Sequence, residues 1–212
     1  MAKAFSGTEF TALQYIGNTL GPVFLQDPKE IHETYELLKA LKSFGEADVI
    51  EWPYLEEPRL KEIFGELDAW DGELNEALYG DFRRLFIGPA RLAAPPYGSV
   101  YTDSDLVMFG KSCMELREWL RANGINMQSD NMPEDHVGKL MLLMAWLADA
   151  KPDLLTEFLE QHFLPVGPYI FEEIYKNAQH PVYKALAILA KETLEAIELE
   201  HELKPRYLRK YR

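Results

Sequence analysis

Apolar side chains recur every three to four positions along most of this chain, as in Ile31, Tyr35, Leu38 and Leu41 and again in Leu74, Leu78, Phe82 and Leu85. That spacing gathers them into one stripe of an α-helix, and a chain that repeats it nearly from end to end must bury the stripes against one another. Helices are expected over residues 7–20, 28–43, 57–67, 71–87, 110–123, 133–149, 152–164, 168–178 and 181–202. Pro28, Pro133, Pro152 and Pro181 stand where a first helical turn tolerates a missing N–H, and Gly124 after Asn123 reads as a helix stop. Only 49–52 and 99–101 have extended character, and neither is long enough to organise a sheet. The predicted fold is all-α: a single-domain helical bundle of about nine helices, with a long Pro/Gly loop in the middle of the chain.

The helix at 133–149 is apolar nearly all round, with Val137, Leu140, Met141, Leu142, Leu143, Met144, Trp146 and Leu147, which predicts a buried central helix. The longest unpatterned segment, 88–104, holds Pro89, Pro95, Pro96 and Gly98, and a loop of that length in a compact domain is usually functional or hinge-like. A chain of 212 residues buries a full core without metal or disulfide staples. Its one cysteine, Cys113, cannot form an intrachain disulfide and reads as a small buried apolar residue in a reducing, cytoplasmic setting. No apolar run is long enough to span a bilayer, and the first twenty residues lack a signal-peptide pattern, so neither membrane insertion nor export of the chain is expected.

Charge is unevenly distributed. The net charge is −13, and residues 204–212 carry five basic and no acidic side chains, so the remainder carries −18. This suggests a helical domain over 1–203 and a basic tail over 204–212, expected to be flexible, with a contact to the acidic body or a surface anchor as alternatives. An acidic body repels nucleic acid and suits cationic peptides, although solubility alone also accounts for the acidity.

Catalytic motifs are missing: there is no G-x-x-x-x-G-K-[ST], G-x-G-x-x-G, H-E-x-x-H or G-x-S-x-G. The histidines at 32, 136, 162, 180 and 201 lack metal-ligand spacing, so no metal and no cofactor are expected. Two segments stand out, Asp81-Phe82-Arg83-Arg84-Leu85-Phe86-Ile87-Gly88-Pro89 and Met132-Pro133-Glu134-Asp135-His136. The first reads as a core stripe with a stop signal, the second as acids in the first turn of the buried helix, where carboxylates complement the dipole. Adjacent residues on a helix point to different sides, so Asp135 is poorly placed to orient His136 as an acid–base dyad. Arg83 and Arg84 read as solvated charge or as partners of acids such as Glu76.

Leu85-Phe86-Ile87-Gly88-Pro89, the loop Pro95-Pro96-Tyr97-Gly98-Ser99-Val100-Tyr101 and Pro133-Glu134-Asp135-His136 resemble, in the same order, the shared motifs of the TorD/DmsD family of twin-arginine signal-peptide-binding chaperones. His180-Pro181-x-Tyr183-x-Ala185-Leu186 is similar to the start of the family's C-terminal helix, so the likeness runs over most of residues 70–190. The resemblance implies an all-helical, non-enzymatic cytoplasmic chaperone. Such a chaperone holds the twin-arginine leader of the catalytic subunit of a molybdopterin oxidoreductase of DMSO-reductase type until cofactor insertion and export. It implies a monomer or domain-swapped dimer, contact with the Tat export machinery, and Leu85, Phe86, Gly88, Pro89, Pro133, Asp135 and His136 as peptide-binding residues. The family often has Glu where this chain has Met132, which removes one possible arginine partner.

A leader joins two guanidinium groups to an apolar stretch, and its receptor needs carboxylates beside an apolar groove. Asp135, with Glu134 or Asp81, is the expected arginine acceptor, and Leu85, Phe86, Tyr97 and Tyr101 the expected groove lining. His136 is either a donor to a peptide carbonyl or a satisfied core side chain, and the 97–101 loop either a lid or a hinge for exchanging helices. The alternative from another class is a small helical hydrolase or lyase using Asp135 and His136. A nucleotide-binding regulator has no phosphate-cradling loop to rest on.

Overall fold

Helix α1 (Gly7–Leu25) runs through Pro22, five residues past the predicted stop. An internal proline costs a helix about 3 kcal/mol, and the packing of this helix explains why it continues. Gly17 and Gly21 lie against the backbone of α7 (Val137–Ala150): a Cβ on Gly17 would sit 2.3 Å from the Met141 carbonyl oxygen, and one on Gly138 would sit 2.8 Å from that of Gly21. The two backbones therefore meet directly, and Leu13, Ile16, Leu20 and Phe24 on the same face of α1 are wholly buried. Burial of that continuous face offsets the hydrogen bond that Pro22 cannot make.

The structure, a computed structural model, describes residues 3–89, 91–127 and 131–212. The remaining helices are α2 (His32–Gly45), α3 (Glu57–Gly65), α4 (Glu76–Phe82), α5 (Gly98–Thr102), α6 (Lys111–Ala122), α8 (Leu155–Phe158), α9 (Gly167–Asn177) and α10 (Pro181–Glu200). Among the described residues there is no strand, only isolated bridges between Trp52 and Leu55 and between Tyr97 and His136. The all-α prediction is borne out, and α7 is the central element, with Leu140, Met141, Met144 and Leu147 fully buried and Trp146, Asp149 and Ala150 exposed. The pairs α1–α7 and α9–α10 are the two main helix contacts, and α3 closes against α10. No described helix is long and apolar enough to cross a membrane.

Several boundaries differ from those predicted. Pro28 and Pro133 do not open helices. Asp27 instead makes a turn, its side chain accepting from Lys29 N–H at 2.9 Å, and α2 begins at His32. Likewise His136 N–H donates to Pro133 O at 3.3 Å, so Glu134 and Asp135 precede α7 rather than occupy its first turn. Asn75, whose side chain accepts from Leu78 N–H at 3.1 Å, caps the helix expected to start at 71. Residues 99–101, expected to be extended, form α5. Pro181 does open α10, with His180 as its N-cap.

Residues 204–212 lie along the body. Arg206 N–H donates to Glu160 O at 2.9 Å, Tyr211 N–H donates to Tyr101 O at 2.8 Å, and the Arg206 guanidinium pairs with Glu115 at 2.7 Å. Of the three placements open to the tail, these contacts are those of a segment lying against the acidic body.

Candidate peptide-binding face

The first motif begins in α4 and continues as a π-helical turn over Arg83–Ile87 that ends at Gly88. Gly88 has φ 98° and ψ −163°, a region that side-chain-bearing residues avoid. Leu85 and Phe86 face inward, and Phe86 packs edge-on against Phe82, Phe24 and Tyr183 at 4.9, 6.3 and 6.0 Å between ring centroids. Asp81 is buried and accepts from Gln179 N–H at 2.8 Å and His180 N–H at 2.7 Å, tying this motif to the start of α10. Its other oxygen pairs with Arg84, and Arg83 pairs with Asp27 at 2.8 Å and Glu30 at 3.0 Å, not with Glu76. Arg84 also donates to the Asn177 carbonyl.

The second and third motifs are bolted to each other. Val137 N–H donates to Pro96 O at 2.7 Å, Gly98 N–H to Asp135 O at 3.2 Å, and Ser99 N–H to Asp135 Oδ2 at 2.6 Å. The His136 ring meets the Tyr97 ring edge-on at 5.2 Å, and its Nδ1 accepts from Gly138 N–H at 3.1 Å, which places the proton-free nitrogen inward as a cap for α7. Asp135 is only 4% exposed. Burial pushes its carboxyl above the ordinary aspartate range, against the opposing pull of the hydrogen bond from Ser99 N–H. Glu134 takes a two-pronged contact from Arg117, at 2.8 and 2.7 Å, and the Cys113 thiol lies 3.7 Å from it. Cys113 is fully buried, and burial pushes its thiol up to about 12.

These contacts show where the residues singled out from the sequence sit and what they touch. Leu85, Phe86, Tyr97, Tyr101, Pro133, Asp135 and His136 are buried, Gly88 and Glu134 are half-buried, and only Pro89 is exposed. Asp135, Glu134 and Asp81 are already engaged with Ser99, Arg117 and Arg84. None of the three stands open as an arginine acceptor. The motifs form a lock that fixes the 95–102 segment against the start of α7, and the surface this lock presents is apolar.

On that surface a trough of about 420 Å³ is lined by Leu92, Pro95, Tyr97, Val100, Leu106 and Met108, with Arg91 and Arg212 also contributing. Leu106, Val107, Met108 and Phe109 beside it are 37–51% exposed, a contiguous apolar strip of the kind that marks interaction sites. Leu106 and Phe109 have positive φ, 54° and 60°, and the Arg117 guanidinium lies 5.4 Å from the Phe109 ring centre. Sequence reasoning missed the strip and Leu92, Pro95, Val100, Leu106 and Met108, although four consecutive apolar residues between predicted helices were a usable signal.

Folding also assembles groups far apart in sequence. Glu9, Glu200 and the buried His201 approach one another within 4.8 Å, closer than the histidine spacing suggested. The Lys3 ammonium already lies 3.8 Å from Glu9 and 3.7 Å from Glu200, and the Phe5 ring stacks on His201 at 3.9 Å, so these residues anchor the start of the chain to the end of α10.

Comparison with known proteins places this arrangement. The family described as nitrate reductase delta subunit matches residues 55–171. The Tat proofreading chaperone DmsD of Salmonella typhi is 38% identical over 177 residues, covering 82% of this chain and 83% of that protein. The probable Tat proofreading chaperone DmsD of Haemophilus influenzae is 38% identical over 66% of this chain and 69% of its own. The chaperone protein TorD of Vibrio cholerae is 32% identical over 58% of this chain and 60% of its own. All three matched proteins are named as chaperones. The chain belongs to the nitrate reductase delta subunit family, in its TorD/DmsD branch of chaperones.

Proposed function

We propose that this protein is a non-enzymatic, cytoplasmic chaperone that binds the twin-arginine signal peptide of a molybdopterin-containing oxidoreductase of DMSO-reductase type. It holds the peptide until the cofactor is inserted and the client passes to the export machinery. The observation that carries this reading is the 38% identity to a Tat proofreading chaperone across 82% of the chain. The trough lined by Tyr97, Val100, Leu106 and Met108 and the exposed strip beside it support docking of the leader's apolar stretch on the motif face. The body charge of −18 outside residues 204–212 supports attraction of the leader's basic end. The hydrolase alternative has no comparable support, because Asp135 is turned to Ser99 and His136 Nδ1 to Gly138 N–H.

The test is a titration of the purified protein with a synthetic twin-arginine leader and with its Lys-Lys counterpart, at two salt concentrations. Tighter binding of the arginine form, weakening as salt rises, is expected. Equal affinity for the two peptides would sink arginine recognition, and no binding of either would sink the chaperone reading.

A further inference from the structure

Residues 204–212 make more contacts than a tethered end requires. Arg206, Leu208, Lys210 and Arg212 are half-buried while Tyr207, Arg209 and Tyr211 are exposed, the two-residue alternation of an extended peptide lying on a surface. The surface beneath is built from the motif loop and from residues around the start of α9. Tyr211 N–H donates to Tyr101 O at 2.8 Å. The Tyr169 hydroxyl donates to Arg212 O at 2.5 Å.

Two cations, two residues apart, are held there by carbonyls and aromatic rings, with no carboxylate partner among the described residues. The Lys210 ammonium donates to Pro165 O at 2.5 Å and lies 5.8 Å from the Tyr169 ring centre. The Arg212 guanidinium donates to Leu92 O at 3.0 Å and Ala93 O at 3.5 Å and lies 6.0 Å from the Tyr101 ring centre. Carbonyl dipoles and aromatic faces both attract cations, and a partly dry setting strengthens each. Arg212 also lines the apolar trough beside Tyr97 and Val100. A basic, tyrosine-containing segment thus already lies beside the apolar trough.

We infer that residues 206–212 are an internal pseudo-ligand: they occupy the docking surface for a basic, apolar peptide, with Lys210 and Arg212 where basic side chains of that peptide dock. A leader binds by displacing them. This rests on the reading that the chain binds such a leader, and it supplies what that reading lacked, namely groups that receive cations on the motif face. A tethered competitor weakens apparent affinity by the fraction of time it leaves the surface open, so a segment docked nine-tenths of the time weakens leader binding about tenfold.

The experiment compares three proteins titrated with the same synthetic leader: the full chain, a chain ending at Lys204, and the full chain carrying Lys210→Ala with Arg212→Ala. Truncation is expected to tighten leader binding about tenfold, and the double variant, which keeps the backbone contacts, is expected to shift affinity in the same direction. A free peptide of residues 204–212, added to the truncated chain, is expected to compete with the leader. Equal affinities in all three proteins with no competition by the free peptide overturn the pseudo-ligand while leaving leader binding intact. If no form binds leader while the free peptide still binds the truncated chain, the chaperone reading fails and the surface serves only the tail, which also overturns the assignment.

Discussion

Replacing Asp135 by Asn and by Ala separates a structural lock from a peptide-binding carboxylate. Asp135 Oδ2 accepts from Ser99 N–H at 2.6 Å in a site only 4% exposed. Asp135→Ala removes that acceptor and leaves a buried N–H unpaired, at a cost of roughly 1–3 kcal/mol. Taking about 2 kcal/mol, and about 2–4 °C of melting temperature per kcal/mol for a chain of this length, the expected loss is about 4–8 °C. Asp135→Asn keeps an oxygen toward Ser99 and removes a charge that burial disfavours, so at neutral pH it should stay within about 1 kcal/mol of the native chain. The sign of the pH dependence follows from the raised carboxyl. In the folded state it holds its proton over a window, above the ordinary value of about 3.9, in which the unfolded chain has released it. That contribution is complete below the window and is lost as pH rises through it, so the native chain gains on Asp135→Asn as pH falls from 7. Thermal melts of the three proteins between pH 4 and 7, with leader titrations alongside, provide the assay. Leader affinity is expected to change less than about twofold in Asp135→Asn, since the carboxylate faces inward. A loss in Asp135→Asn as large as in Asp135→Ala, or abolished leader binding with unchanged stability, refutes the lock.

Two further outcomes follow from the packing and the surface. Gly17→Ala puts a Cβ 2.3 Å from the Met141 carbonyl oxygen, forcing α1 from α7 and costing roughly 1–3 kcal/mol in urea unfolding. Met108→Asp, at a side chain 51% exposed, should leave unfolding within about 0.5 kcal/mol of native while weakening leader binding several-fold in the same titration. An unchanged affinity there would move the docking site off the strip.

Apolar spacing alone determined the all-helical class and the central place of 137–147, because a continuous apolar stripe has only one stable destination. Motif order along the chain determined the family. The positions of several helix starts were not legible, since Asp27 turns the chain and Asn75 and His136 cap helices by side-chain contacts that proline spacing does not reveal. Only the tertiary structure decided what the motif residues contact. Asp81 and Asp135 are carboxylates in either account, but their partners, Gln179 and His180 N–H for one and Ser99 N–H for the other, lie 98, 99 and 36 residues away. A linear pattern records which groups a segment carries; burial and pairing belong to the folded chain, because they depend on which distant donors arrive to meet those groups. The basic tail shows the same: its charge was plain in the sequence, and its seat on Tyr101, Leu92 and Pro165 exists only once those carbonyls converge.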